Sequence, residues 1–186
     1  LCPISAIASA VAAGTLASLD TGAFSQFGLP GGMVGDSLPA AIGPALDGSY
    51  GQVAQSDSPG AAVLVEMGKA NDPAFDATSP YTPESYDAAA LIMLAMEASG
   101  STDSNVYKEK IMEIANGPAD GSGVKILPGE LGKALELIAA GTAIDYDGAS
   151  GVTLIGPGES AGRYKQFEVK GGKYEMKGEG KSLSIE

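Results

Sequence analysis

Histidine and tryptophan are absent from this chain of 186 residues, and cysteine occurs once, as Cys2. Without histidine there is no imidazole to activate a serine or cysteine nucleophile. Zinc sites are commonly built from histidine and cysteine side chains, so a site of that kind is excluded too. A disulfide within the chain is impossible, and an inert Cys2 is favoured over a reactive thiol. The composition therefore argues against an enzyme and predicts no catalytic residue, no metal site and no cofactor.

Positive charge is also scarce, because 11 Lys and Arg residues stand against 23 Asp and Glu residues, giving a formal charge of −12. Nucleic acid and anionic membranes are poor partners for such a chain, since phosphates are bound by clustered Lys and Arg. The lysines from Lys165 to Lys181 alternate with Glu and Gly. That alternation is typical of a solvated face rather than a basic patch.

Long apolar runs are missing as well, and none approaches the ~20 residues that a membrane-spanning helix needs. The segment Ile4–Leu19 is apolar but rich in Ala and Ser, and no charged region precedes it. It therefore makes a poor signal peptide and predicts a helix of the folded protein. Aromatic residues are only 6% of the chain while apolar residues are 44%, so the core must be mainly aliphatic.

What is present is a strongly periodic stretch, Tyr81–Gly100, which predicts a long central helix. Pro83 suits a first helical position and Gly100 suits a left-handed cap. At the helix start, Tyr86 beside Asp87 could face a ligand, because free backbone N–H groups lie there. Apolar residues at helical spacing predict a buried stripe of Ala88, Leu91, Ile92, Ala95 and Met96, widened by Met93 and Leu94.

Shorter patterned segments predict an α/β fold with a parallel layer first and an antiparallel hairpin at the end. Gly171-Gly172 is the hairpin signal, and the strand before it places Phe167 and Val169 on one side. The other predicted helices are Ser37–Leu46, Ala61–Ala70, Ser104–Ala115 and Pro128–Ala140. The predicted strands are Phe24–Leu29, Ser49–Gln55, Val124–Ile126, Val152–Ile155, Arg163–Lys170 and Lys173–Met176.

Two patterns that resemble catalytic or metal sites are better explained as turns. The segment Gly156–Gly162 is rich in glycine, but it lacks the Gly-Lys-Ser/Thr ending of a phosphate loop and precedes a strand. Asp145 and Asp147 lie in a turn-rich segment, where Asp is a common turn former, and EF-hand spacing is absent.

The loop Pro30–Met33 is a stronger candidate for ligand contact. It follows a predicted strand of the α/β layer, and ligands gather at the carboxyl ends of such strands. Its two consecutive glycines allow close approach of the backbone to another group. This loop is therefore predicted to form part of a pocket wall.

Four stretches together resemble the C-terminal half of periplasmic solute-binding proteins of ABC transporters. The likeness is to the branched-chain amino acid-binding (Leu/Ile/Val-binding, type I) family. The stretches are FGLPGGMVGDSLPAAIGPALDGSYGQV, SYDAAALIMLAMEASGSTD, GELGKALELIAAGTAIDYDGASG and GRYKQFEVKGGKY. The most specific part is Ile144–Gly151 at its spacing from Ser85–Leu91.

The resemblance implies two Rossmann-like α/β lobes, joined by three crossing strands, that close on a ligand like a hinged clamp. Residues 1–52 would be the C-terminal part of the second lobe, and residues 53–163 the helical part of the first lobe. Residues 164–186 would be the return crossing and a C-terminal hairpin of the second lobe. Because the first lobe's main strands are missing, apolar faces are left to cover. We expect a companion chain that carries the N-terminal half, or a homo-oligomer in its place.

The resemblance also implies ligand contacts on one loop, at the start of the central helix and before the first helix. The residues are Gly31, Gly32 and Met33; Ser85 and Tyr86; and Pro3 and Ser5. Amino acid-binding members often carry an acidic residue at the place of Gly31. A carboxylate or aromatic acid is therefore an alternative to an amino acid as the ligand.

The implied function is the periplasmic, substrate-binding component of an ABC transporter. Such a component binds a small amino acid or carboxylate solute by lobe closure and delivers it to an ABC permease. A ligand-sensing domain of a receptor or regulator with the same fold is the alternative.

Overall fold

The computed structural model describes residues 26–34, 37–54 and 58–182. The predicted helix Ile4–Leu19 and the candidate residues Pro3 and Ser5 lie outside the described residues. The chain divides into two compact units. The first unit comprises Leu1–Gln55 with Arg163–Lys181, and the second comprises Ser56–Gly162 with Ser182–Glu186.

The described residues form five α-helices and eight strands, with three consecutive helices in the middle and strands alone at the end. The helices are α1 (Ser37–Ile42), α2 (Pro59–Asn71), α3 (Thr82–Ser99), α4 (Ser104–Asn116) and α5 (Leu131–Ala139). Short 3-10 helices cover Gly31–Met33 and Gly43–Leu46. The strands are β1 (Gly28–Leu29), β2 (Tyr50–Ala54), β3 (Val124–Ile126), β4 (Ile144–Tyr146), β5 (Leu154–Gly156), β6 (Glu159–Ser160), β7 (Arg163–Lys170) and β8 (Lys173–Ser182).

The first unit is built on a four-stranded sheet in the order β1-β2-β7-β8. Strand β1 is parallel to β2, and β2 is antiparallel to β7, with Gly51 opposite Phe167. Alternation places Val53, Phe167 and Val169 on the buried face, where they pack with Leu29, Leu38 and Leu46. The Phe167 ring meets the Tyr174 ring edge to face, at 5.0 Å between centroids. The sequence prediction for the two sides of β7 is confirmed.

Glycine is required at position 51 by the packing of this sheet. A Cβ on Gly51 would lie 2.0 Å from the carbonyl oxygen of Leu29 and 2.6 Å from the Phe167 ring. The β7–β8 turn uses Gly171 and Gly172, both at positive φ, as the hairpin signal predicts. The Asp47 carboxylate accepts the N–H groups of these two glycines at 3.1 and 3.2 Å.

In the described part of the second unit there are four helices and two small two-stranded sheets. Strands β3 and β4 are parallel, with Val124 opposite Ile144, and β5 and β6 are antiparallel. Its main core joins α3, α4 and α5 to the β3–β4 pair, through Ala90, Leu91, Leu94, Ala95, Ile114, Ala115, Ile126, Ala134, Ile144 and Tyr146. The antiparallel β5–β6 pair occupies the segment that resembles a phosphate loop.

The structure differs from the sequence predictions in several places, of which three matter most. The predicted strand Phe24–Leu29 is assigned as strand only at Gly28–Leu29 among the described residues. Strand β4 is not among the predicted strands, because it is only three residues long and turn-forming Asp and Gly follow it. The predicted buried stripe of α3 is partly wrong. Leu91, Leu94 and Ala95 are buried as predicted, but Ala88, Ile92 and Met93 are exposed, and Ala90, which was not in the stripe, is buried.

Candidate functional site

The Asp87 carboxylate, which is only 2% exposed, is the centre of a hydrogen-bond cluster in the second unit. Its Oδ1 accepts the Tyr146 hydroxyl at 2.8 Å and the Ala149 N–H at 2.7 Å. Its Oδ2 accepts the N–H and the hydroxyl of Ser150 at 2.6 and 2.5 Å. Four donors therefore surround a buried charge, which is the condition under which such a charge is tolerated.

The loop after β4 is shaped to reach this carboxylate. Gly148 has φ +62°, and a Cβ there would lie 2.6 Å from both Asp87 oxygens. The Ser58 hydroxyl, which caps α2 by accepting the Ala61 N–H, also donates to the Ala149 carbonyl at 2.5 Å. A Cβ on Gly60 would lie 1.8 Å from the Gly148 carbonyl oxygen. The loop, the start of α2 and the first half of α3 are thus locked together.

The electrostatics of the cluster keep Tyr146 a hydrogen-bond donor. Burial and then the charge of Asp87 raise the pKa of the Tyr146 hydroxyl above its ordinary value. The hydroxyl therefore stays protonated at physiological pH. Asp87 is a structural anchor, because every hydrogen bond described for its carboxylate comes from Tyr146, Ala149 or Ser150. That Tyr86, beside it, faces a ligand stays a prediction.

Ser85 and Tyr86, the predicted ligand residues of α3, have different surroundings. Ser85 is exposed, and its N–H donates to the Tyr81 carbonyl at 2.9 Å. The half-buried Tyr86 packs against the small core of Leu64, Ala77 and Ala149. Its hydroxyl accepts the Gly129 N–H at 3.2 Å, which ties α3 to the loop before α5. The exposed Ser85 hydroxyl is the more available of the two groups.

Gly31, Gly32 and Met33 form a 3-10 turn in the first unit, directly after β1. The Met33 N–H donates to the Pro30 carbonyl at 2.9 Å, and the Met33 carbonyl accepts the Tyr174 hydroxyl at 2.8 Å. The Met33 side chain packs against the core of the unit. Gly32 is exposed, and a Cβ there would meet nothing within 4 Å. The turn is therefore held rigidly while leaving open space over Gly32.

A broad groove of about 940 Å³ lies on the same unit, and the sequence analysis did not predict it. Tyr50, which is 59% exposed, projects from it, and Glu168 pairs with Lys177 at 2.6 Å along it. The sequence signal for this groove is the alternation of side chains in β2 and β7. It places the polar residues of the two strands on one face of the sheet. The lining residues are Gln26, Gly28, Leu29, Pro30, Gly48, Tyr50, Gly51, Gln52, Gln166, Phe167, Glu168 and Lys177.

The described residues show neither a metal-binding cluster nor a membrane-spanning helix. Residues 26–34, 37–54 and 58–182 contain no group of three or more His, Cys, Asp or Glu side chains that could hold a metal ion. Within those ranges, no helix combines the length and the apolar character needed to cross a bilayer.

Comparison with known proteins gives a match of fold and a partial match of sequence. No family model matches the sequence. The structure matches a leucine-binding protein, LivK, from Thermotoga maritima MSB8 with a TM-score of 0.60 and 17% identity, over 91% of this chain and 41% of that chain. This chain therefore has, in part, the type I periplasmic-binding-protein fold. The resemblance found in the sequence is confirmed at the level of the fold.

Two further similarities complete the comparison. A substrate-binding protein of a chemotactic signal transduction system, BasB, from Halobacterium salinarum is 38% identical over 78 residues, which is 41% of this chain and 18% of that protein. A solute-binding protein of an ABC transporter from R. palustris, solved with benzoate, has 21% identity and a TM-score of 0.41. The chain thus spans less than half the length of each of these proteins.

Proposed function

We propose that this chain is part of the extracytoplasmic substrate-binding component of an ABC transporter, and that it binds a small amino acid or carboxylate solute. The observation that carries the proposal is the fold match to a leucine-binding protein over 91% of the chain. The proposed location is the periplasm or its equivalent outside the cell membrane, and the proposed partner is an ABC permease.

The two compact units support a clamp mechanism. The chain leaves the first unit after Gln55 and returns to it at Arg163. Each unit is therefore built from two separate segments of the chain, as the resemblance implies for lobes joined by crossing strands. We assign the first unit to the second lobe and the second unit to the helical part of the first lobe. Ligand that binds the closed arrangement more tightly than the open one shifts the equilibrium toward closure.

Binding rather than catalysis is supported by the chemistry of the described residues. The buried polar cluster around Asp87 is engaged in holding a loop. The chain also lacks histidine altogether. We therefore propose a non-enzymatic role, in which Gly31, Gly32, Met33, Ser85 and Tyr86 contact the solute together with Pro3 and Ser5.

The class of ligand follows from the turn after β1. An amino acid's ammonium group needs an acidic partner, and Gly31 provides no side chain at the place where the resemblance leads one to expect it. A carboxylate solute needs only donors, and the exposed Ser85 hydroxyl is one. An organic acid is therefore proposed alongside a small amino acid.

A second candidate function is ligand sensing, and one observation favours it. The relative with 38% identity is a substrate-binding protein of a chemotactic signal transduction system. A sensing protein would close on its ligand in the same way, but a receptor rather than a permease would bind the closed form. Binding of purified protein to a chemoreceptor ectodomain rather than to a permease would favour this candidate.

Isothermal titration with a panel of amino acids and organic acids tests the proposal, on protein purified with any companion chain it retains. We expect one panel member to bind, and Gly32→Leu to abolish binding because the side chain fills the space over the turn. Gly132→Leu, at a helical glycine whose Cβ also meets nothing within 4 Å, is the matched control and should bind normally. Equal binding by both variants, or no binding by any panel member, would contradict the proposal.

A further inference from the structure

Helix α4 ends on an asparagine that is followed by a glycine. Asn116 is the last residue of α4, and Gly117 lies directly after it with φ +62° and ψ −178°. The Asn116 side chain is exposed and forms two hydrogen bonds with the main chain of Leu154, the first residue of β5. Its Nδ2 donates to the Leu154 carbonyl at 2.8 Å, and its Oδ1 accepts the Leu154 N–H at 2.9 Å. The amide therefore ties the end of α4 to the β5–β6 pair.

The fold keeps both members of this Asn-Gly pair in place. The positive φ of Gly117 favours glycine, and a Cβ there would lie 2.8 Å from the Cβ of Asp145. At position 116 one short side chain both donates to and accepts from Leu154, which suits an amide. Among asparagine sequences, Asn-Gly is the most prone to deamidation, because glycine leaves the following main-chain nitrogen unhindered.

Deamidation of asparagine needs no reactant other than water. The main-chain nitrogen of the next residue loses its proton to solvent and forms a bond to the asparagine Cγ. The bond from Cγ to the side-chain nitrogen breaks, and this nitrogen takes a proton from water and leaves as ammonia. The resulting succinimide ring is then hydrolysed at one of its two carbonyls, which gives aspartate or isoaspartate.

The surroundings of Asn116 favour the attack. Among the described residues, none accepts a hydrogen bond from the Gly117 N–H, so this nitrogen is open to deprotonation by solvent. The Leu154 N–H donates to the amide oxygen on which negative charge develops, as an oxyanion-stabilising donor does. Because Asn116 is the last residue of α4 and helix ends fray, its backbone can rotate for ring closure while the rest of the helix stays intact.

The other two asparagines of the chain have different surroundings. Asn71 is also exposed and also ends a helix, α2, but the next residue is Asp72, whose N–H donates to a carbonyl of α2 at 2.8 Å. Asn105 is followed by the β-branched Val106, whose N–H donates to the Asp103 carbonyl at 2.9 Å. At both positions the attacking nitrogen is hydrogen-bonded and carries a bulkier neighbour than at Asn116.

We propose that Asn116 is a modification site at which the folded protein deamidates spontaneously, and that the reaction loosens the β5–β6 pair from α4. The product has a carboxylate in place of the amide, so the donor to the Leu154 carbonyl is replaced by an oxygen that repels it. Isoaspartate also lengthens the main chain by one carbon atom at the end of α4. The proposal goes beyond the proposed function and does not depend on it.

Ageing of the purified protein, with any companion chain it retains, tests the first part. The folded protein is incubated at physiological pH and temperature, and peptide mapping by mass spectrometry follows all three asparagines. We expect Asn116 to deamidate at least about tenfold faster than Asn71, because only Asn116 combines a free neighbouring N–H with a donor to its amide oxygen. The rate should rise with pH, since the Gly117 nitrogen must lose its proton. Similar rates at Asn116 and Asn71, or reaction at Asn116 only after unfolding in urea, would overturn the proposal.

The second part is tested with Asn116→Asp, which mimics one product, and with the aged protein separated by anion exchange. Hydrogen exchange followed by mass spectrometry is measured over residues 152–161. Asn71→Asp is the matched control, because it places the same charge at the end of another helix. We expect exchange in this segment to be at least about threefold faster in Asn116→Asp and in the aged protein, and unchanged in Asn71→Asp. Exchange as slow in the aged protein as in the fresh protein would overturn the claim that the reaction loosens β5–β6.

Discussion

At the scale of single residues, the buried carboxylate of Asp87 explains why two distant stretches of the sequence occur together. SYDAAAL supplies the acceptor, and IDYDGASG supplies a phenol, two backbone N–H groups and a serine hydroxyl as donors. The spacing that carried the resemblance is thus a structural requirement of the second unit. It fixes the loop between β4 and β5 against α3.

Replacing Asp87 by Asn is expected to lower the free energy of unfolding by about 3 kcal/mol, since a buried, multiply bonded carboxylate is lost and the amide N–H₂ faces other donors. Urea denaturation followed by circular dichroism measures this. Asp103→Asn is the control, because Asn caps α4 nearly as well as Asp, and it should change stability by less than about 0.5 kcal/mol. Equal effects of the two substitutions would contradict the role given to Asp87.

Gly148→Ala is expected to be more damaging than Gly158→Ala, although both positions have positive φ. Backbone strain alone costs about 1 kcal/mol at either position. At Gly148 the added Cβ would also lie 2.6 Å from both Asp87 oxygens, whereas at Gly158 it would meet nothing within 4 Å. We expect a loss above about 3 kcal/mol at Gly148 in the same urea assay; a loss near 1 kcal/mol there would mean that the loop moves freely away from Asp87.

At the scale of elements, proline and glycine residues predicted the helix ends and the turn that depend on neighbouring residues. Pro83 and Gly100 placed α3 within a residue of its observed ends, and Gly171-Gly172 placed the β7–β8 turn. Strand β4 and the orientation of α3 could not be predicted, because they depend on contacts distant in sequence. Residues 88–96 are apolar on all sides of the helix, so their helical spacing predicts a helix but does not decide which side is buried.

The orientation of α3 can be tested at two adjacent positions. Leu94 is 1% exposed and Met93 is 50% exposed. Leu94→Ala should lower the free energy of unfolding by about 3 kcal/mol, because a buried side chain is removed and a cavity remains. Met93→Ala should lower it by less than about 1 kcal/mol. Similar losses in the purified chain would show that the helix is rotated relative to the arrangement described.

The candidate site was predictable only in part from the sequence. The turn Gly31–Met33 was recognisable because two glycines follow an apolar segment, and the structure places it directly after β1. The hydrogen bond from Gly129 to Tyr86 joins residues 43 positions apart and left no local signal. The groove around Tyr50 depends on the pairing of β2 with β7, more than 100 residues later in the chain.

At the scale of the whole molecule, the formal charge of −12 makes stability depend on salt. Repulsion among surface carboxylates is screened as the Debye length falls from about 30 Å at 0.01 M to about 3 Å at 1 M salt. We expect the midpoint of thermal unfolding to rise over this range. Glu66, Glu109 and Glu136 are exposed. A variant in which all three are changed to Gln should show a smaller rise in the unfolding midpoint over the same salt range. A midpoint that falls with salt, or equal gains for both proteins, would contradict this explanation.

The central claim is that these residues are one side of a two-sided solute-binding clamp, and native mass spectrometry tests it most directly. Protein from its natural source is sprayed with and without a pool of amino acids and organic acids. The account predicts an assembly heavier than the 18.5 kDa of this chain, holding one solute molecule that is lost in Gly32→Leu. A well-folded particle of 18.5 kDa that retains no solute would contradict it.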